Sequence, residues 1–206
     1  MAYLSMAEHN RLTKASRPYR LRARAAGMDR THERITHAAV ELHGTIGPAA
    51  TTMSAVAELA GVTRATLYRH FPNEVALFTA CSSDWLAANP RPDPSGWATI
   101  ADPVRRLSAA LDELYAYYRS TEQMRTNLLR DIDAIPEMFR RGIVAFPTTT
   151  VQILEAGWPG PAETHLRHAA IGHAVGFETW RSLARDGLTD AEAVELMVRF
   201  VSCIGD

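Results

Sequence analysis

The sequence predicts an all-α fold in two unequal helical units, a front unit built on a helix-turn-helix and a longer helical rear unit. Three observations carry this expectation. Apolar residues recur at helical spacing along most of the 206 residues, while β-branched alternation between turn pairs is nearly absent. Glycines and prolines stand singly between segments of helical length. A breaker cluster, Asn89-Pro-Arg-Pro-Asp-Pro-Ser-Gly, then divides the chain.

Composition bounds the function classes. With 47% apolar residues the chain is long enough for a substantial core, and too apolar for disorder. No apolar run reaches the length of a membrane span, and the N-terminus lacks a secretory apolar region, so a cytoplasmic protein with no membrane partner is expected. Cys81 and Cys203 are far apart and alone, which suggests neither a disulfide framework nor a zinc site. The net charge of −1 hides an asymmetry, about +3 over residues 1–89 and −4 over 90–206. A basic front and an acidic rear suit a nucleic-acid reader joined to a domain with another task.

Residues 1–28 lack periodicity and carry Arg11, Lys14, Arg17, Arg20, Arg22 and Arg24. They read as a basic, disordered tail that can also add phosphate contacts. Residues 29–88 form the helix-turn-helix domain and its linking helix. Its first helix is expected from about Asp29 to Thr45, with Ile35, Ala38, Ala39, Leu42 and Ile46 on one face and Gly47-Pro48 as the stop. Thr52 caps a second helix in which Val56, Leu59 and Ala60 share a face; Gly61 ends it, and Thr63 caps a third that turns Leu67 and Phe71 inward. A fourth, from about Asn73 to Ala88, offers Val75, Leu77, Phe78 and Trp85 to the rest.

Residues 89–206 form the rear domain. Asp102-Pro103 is a cap followed by proline at the first helical position. That helix is expected to end near Ser120, with a short one through Met124, Leu128 and Leu129 after it. A longer helix from Pro136 to Ala156 is expected to kink at Pro147. One helix then runs from Pro161 to Asp186 and stops at Gly187; the last opens with a capping box, Thr189 and Glu192.

The run over residues 63–78, Thr-Arg-Ala-Thr-Leu-Tyr-Arg-His-Phe-Pro-Asn-Glu-Val-Ala-Leu-Phe, resembles the DNA-binding domain of the tetracycline-repressor (TetR) family of bacterial regulators. The likeness extends upstream through Thr31-His-Glu-Arg-Ile, Ala38-Ala, Leu42 and Gly47. It implies a homodimer that binds a palindromic double-stranded DNA operator and is released by a small apolar or aromatic effector. It also implies a cavity among the helices of residues 103–186. The stretch from Trp180 to Leu196 is similar to the dimerisation segment of such proteins.

Candidate residues follow. Arg64 can read guanine in bidentate fashion and Thr66 can touch a base or a thymine methyl. Thr52, Thr63, Tyr68 and His70 suit phosphate contacts. Tyr115, Tyr118, Met124, Leu128, Met138, Phe139, Phe146, Phe177 and Trp180 supply the aromatic and flexible side chains of an effector pocket, or else plain core. Arg125, Asn127, Asp131 and His173 are possible polar handles. Ile171, Val175, Val194, Met197, Val198 and Val201 are the candidate dimer face, or again core. His165 and His168 are helical neighbours without a supporting ligand cluster, so no metal is expected. No phosphate loop, nucleophile elbow or cofactor motif is present, so no cofactor and no enzyme are expected. The reading is a ligand-responsive regulator, most readily a repressor; the alternative is a small-molecule-binding protein that keeps the helix-turn-helix as scaffold.

Glu74 departs from the lysine frequent at its position in the family. It suits the start of a helix but repels phosphate. Glu74→Lys is therefore expected to tighten operator binding and steepen its salt dependence, measured by fluorescence anisotropy at two ionic strengths; unchanged affinity at both would refute the idea.

Overall fold

A helix leaves its last carbonyls without partners, and in this protein long side chains from other helices take them up. The computed structural model describes residues 27–144, 148–158 and 164–204. All regular structure among them is helical: α1 (27–45), α2 (Met53–Leu59), α3 (Arg64–His70), α4 (Glu74–Ala88), α5 (Pro94–Ala98), α6 (Pro103–Arg130), α7 (Glu137–Val144), α8 (Thr148–Glu155), α9 (Thr164–Ala174), α10 (Phe177–Arg185) and α11 (Asp190–Ser202), with single 3-10 turns at Pro48–Ala50 and Ile132–Ala134. No helix among the described residues is long and apolar enough to cross a membrane.

The front core gathers Ile35, Ala38 and Ala39 of α1, Met53, Val56 and Ala57 of α2, Leu67 and Phe71 around α3, and Leu77 and Cys81 of α4. Local capping builds these short helices as expected. The hydroxyl oxygens of Thr52 and Thr63 accept from Ala55 N and Thr66 N, and Asn73 does the same for Ala76 N. Gly61 takes φ 62° to end α2. Arg34, from α1, donates to the carbonyls of Ala60 and Gly61 and so fixes the turn between α2 and α3. Leu59, expected inward, is 45% exposed; Met53 and Ala57 occupy the inner face instead. Ile46 and Val75 are exposed as well, because each sits at a helix end that overhangs its core.

The rear core packs α6 against α9, α10 and α11, with Trp97, Leu107, Leu111, Leu114, Tyr115, Tyr118 and Trp180 fully or almost fully buried. Asp102 caps α6 through Arg105 N, and the Thr189–Glu192 capping box opens α11. Four expectations are corrected. First, α6 does not stop near Ser120. No glycine or proline interrupts it, and the hydroxyls of Ser120 and Thr121 donate back to the Tyr117 carbonyl within the helix. Second, the breaker cluster contains a short helix, α5, capped by Asp93 and anchored by buried Trp97.

Third, the expected helix from Pro161 to Asp186 is two helices. It breaks at Val175-Gly176, where the hydroxyls of Tyr115 and Tyr118 donate to the Ala174 and Val175 carbonyls at 2.7 and 2.6 Å. Fourth, Ile171, Val175, Val194, Met197 and Val201 are buried inside the single chain and Val198 is half-buried against them, so these residues are core and not a face offered to a second copy. The expected kink at Pro147 and the helix start at Pro161 lie outside the described residues, as does most of the basic tail.

Two further clamps hold the rear domain. Buried Arg106 donates to the carbonyls of Ile100, Ala101, Ile153 and Ala156, tying the start of α6 to the end of α8. Arg119 forms a bidentate pair with Asp190, which also accepts from Trp180 Nε1 at 2.9 Å. That pair holds the Asp190 carboxyl below its usual range.

The two units meet at the ends of α1 and α6. Asn127 Nδ2 donates to the carbonyls of His43 and Gly44 at 3.0 and 2.8 Å. Arg130 Nη2 donates to the Ile46 carbonyl and pairs with Asp131, which accepts from Ala49 N. Gly47 sits inside this knot at φ 92°, ψ 163°, a combination essentially restricted to glycine. An added Cβ would strike Arg130 Nη2 and Asp131 Oδ2. Gly47→Ala should therefore cost about 1–3 kcal/mol in urea unfolding, read by circular dichroism; an unchanged midpoint would show that the junction tolerates a side chain.

Candidate nucleic-acid interface and effector chamber

With Leu67 anchored in the front core, α3 turns the opposite side to solvent. Thr63, Arg64, Ala65, Tyr68 and Arg69 are exposed and Thr66 is half-buried. The Arg64 guanidinium lies 6.0 Å from the centre of the Tyr68 ring, one turn further on, so the two form a joined donor surface. Thr63 Oγ1 is also 3.0 Å from Thr66 Oγ1, which ties the cap to the first turn. His70 is placed differently. Its ring stands edge-on to His32 at 6.3 Å, its Nε2 is enclosed without a partner, and burial, then Arg69 and His32, lower its pKa. A neutral ring offers a phosphate a hydrogen bond but no charge. Arg69, passed over by the sequence reading, is exposed; the signal for it was its place two residues past the inward Leu67. Glu74 shares a shallow cleft with Thr51 and Thr52, which puts a carboxylate beside one expected phosphate contact.

Behind this surface lie two adjoining spaces with Arg91 and Ile143 in both walls. The smaller, about 250 Å³, sits between the units and is lined by His43, Phe78, Cys81, Trp85, Met124, Leu128, Met138 and Phe139. Its aromatic seam runs from His43 to Phe78 at 5.4 Å and on to Phe139 at 4.9 Å. The larger, about 640 Å³, lies within the rear domain between α5, α6, α8, α9 and α10 and includes Trp97, Tyr118, Arg125 and Phe177. That volume falls in the range of small-molecule sites.

Residues 35–81 match the family model described as bacterial regulatory proteins, tetR family. Over that stretch, just under a quarter of its length, the chain is similar to this family. The fold agrees. It is similar to the structure of a candidate fatty acid metabolism regulator of Clostridium perfringens (15% identity, TM-score 0.58, covering 84% of this chain and 100% of that one). It is also similar to AibR, solved with isovaleryl coenzyme A and operator DNA (22%, 0.58, 82% and 97%). A third likeness is to NalD, the secondary repressor of the MexAB-OprM multidrug efflux pump in Pseudomonas aeruginosa (22%, 0.55, 86% and 98%). No curated protein matches the chain.

The pocket residues named from sequence divide. Met124, Leu128, Met138 and Phe139 line the smaller space, and Tyr118 and Phe177 the larger. Tyr115 and Trp180 line neither. They are fully buried in the rear core, where the Tyr115 hydroxyl and the Trp180 N–H are already committed to Ala174 and Asp190. Phe146 lies outside the described residues. Of the polar handles, Arg125 reaches the larger space, while Asn127 and Asp131 belong to the junction between units and His173 lies 3.3 Å from the Thr179 hydroxyl. His168 faces Glu155 at 2.6 Å, and no cluster of three metal-ligating side chains occurs among the described residues.

His43 links acid sensitivity to this region. Burial pulls its imidazole from 6.5 down to about 4. The folded pKa lies below the unfolded one, so the stability tied to the neutral ring is present above 6.5 and is lost as pH falls from there toward 4. The urea midpoint should drop across that window and drop less in His43→Gln; identical profiles for the two proteins would exclude His43 as the cause.

Proposed function

We propose that this protein is a repressor that binds a palindromic operator as a homodimer and is released by a small molecule whose bulk is apolar. One observation carries the reading. A single helix, α6, supplies Tyr118 and Arg125 to the large chamber, Met124 and Leu128 to the small one, and Asn127 and Arg130 to the junction with α1. An occupant that moves α6 by a fraction of a turn shifts the end of α1, the helix whose Arg34 holds the turn before α3. A ligand acts in this way only as far as it prefers one arrangement over the other.

A second copy has a surface available that is not the one expected from spacing. Leu196 and Phe200 of α11 are 43% and 46% exposed, and Leu166 of α9 is 48% exposed. His173 meets Phe200 edge-on at 6.2 Å, which joins the exposed sides of the two helices. This apolar strip crosses both helices and suits a four-helix interface. The regulator of known structure solved with an acyl coenzyme A and operator DNA supports an effector-and-operator reading for the shared fold.

In this reading Arg64, Thr66 and Tyr68, with Arg69, face the major groove, and Thr52 and Thr63 meet phosphates. His70 serves as a neutral neighbour. The scaffold alternative has one observation in its favour, the exposed carboxylate of Glu74 beside Thr52. Selection of bound duplexes from a random pool at two salt concentrations separates the two. A palindrome is expected, and Arg64→Ala should weaken binding by about 1–3 kcal/mol per half-site while relaxing the preference at one base position. Recovery of no motif, with all binding lost at moderate salt, would leave only sequence-independent attraction and favour the scaffold.

A further inference from the structure

The larger chamber has an electrostatic imbalance that an uncharged occupant does not resolve. Arg125 is largely buried, with its guanidinium 5.0 Å from the centres of both the Tyr118 and Phe177 rings. Its Nε is enclosed with no hydrogen-bond partner, and no carboxylate pairs with it among the described residues. A second cation, Arg91, stands in the same wall with one N–H on the Gly142 carbonyl at 2.9 Å. The one carboxylate in the lining, Glu178, is already engaged by Arg181 at 3.2 Å.

The neutral polar groups have the same character. Trp97 is 2% exposed and Thr150 is 1% exposed; both line the chamber, and neither Trp97 Nε1 nor Thr150 Oγ1 has a hydrogen-bond partner. An indole N–H can only donate, and a hydroxyl can donate. Buried polar groups left without partners are costly, and buried cations more so. Buried Arg106, by contrast, binds four carbonyls. The chamber thus collects unsatisfied donors and unneutralised positive charge beside apolar walls.

We infer that the chamber takes an organic anion, an apolar body whose carboxylate or phosphate seats on Arg125, with Arg91 and the free donors of Trp97 and Thr150 in reach of the remaining acceptor atoms. This rests on the proposal that the chamber holds the effector, and it adds an anionic head to the apolar bulk named there. Acceptor oxygens in a carboxylate or phosphate match a guanidinium better than any neutral group does.

The test is calorimetric titration of the full chain with butanoate through decanoate, benzoate, naphthoate and the alkyl phosphates, each against its neutral amide or alcohol of equal length. The best-bound anion should exceed its neutral twin by at least about tenfold, the size expected of a charge-assisted hydrogen bond. Arg125→Met should abolish that preference while leaving the neutral twin's affinity in place, and Arg125→Lys should retain most of it. If no acid or phosphate in the panel surpasses its twin in the natural sequence, or if Arg125→Met keeps the preference, the anion site is wrong. Should the methionine variant fail to fold, the natural and lysine proteins decide alone. The relative ranking of carboxylates and phosphates identifies the head group. Operator release, followed on the same samples, separates the two proposals. Release by neutral twins as effective as by anions overturns the anion site and leaves the regulator standing, whereas anion binding without release does the reverse.

Discussion

The structure depends on one recurring solution to the problem of helix ends. Terminal carbonyls in a bundle of short helices must find donors, and where water is excluded those donors come from other helices. Arg34 takes the end of α2, Asn127 and Arg130 the end of α1, Arg106 the end of α8, and Tyr115 with Tyr118 the end of α9. Each clamp fixes an angle as well as a contact, because a carbonyl at a helix end points along the axis. Apolar packing holds the helices together, while these donors decide how they cross.

Five of the six clamping side chains lie on α6, and Asn127 lies close in sequence to side chains of both chambers. The helix is therefore read at several heights: by the short helices of the rear at its start, by the broken α9–α10 segment at its middle, and by the front unit at its end. Its 28 residues make it the longest element described, and no glycine or proline lies beyond its first position to absorb bending. A disturbance at Tyr118 or Arg125 is passed on to Asn127 more readily than it is dissipated.

Much of the front unit, and the start of α11, was legible because the signals there are local. Thr52, Thr63 and Thr189 each accept from a backbone N–H three residues on, and Gly61 and Gly187 end helices at positive φ. Such signals sit within one turn of the residue that shows them. What was not legible acts across distance. The break at Gly176 answers to tyrosines some 57 to 59 positions earlier, and the junction of the units joins residues 83 and 84 apart. Spacing alone also does not say which of two apolar stripes on α11 faces inward. The stripe of Val194, Met197 and Val201 does, leaving Leu196 and Phe200 outside. Spacing found Tyr118 and Phe177 of the larger chamber and Met124, Leu128, Met138 and Phe139 of the smaller, a minority of each lining, and treated Tyr115 and Trp180 like Tyr118, since a hydrogen bond to a distant partner leaves no trace in periodicity.

The junction between the units is made largely to main-chain atoms. Asn127 and Arg130 touch the carbonyls of residues 43, 44 and 46 and not their side chains, and Asp131 holds the amide of Ala49. Every residue type supplies those carbonyls. Apart from the glycine at 47, the front unit can thus drift in sequence over this stretch, and over the exposed side of α3, without losing its attachment. The exposed side of α3 and the mechanical linkage are inherited on separate sets of atoms, so a lineage can change the first while keeping the second.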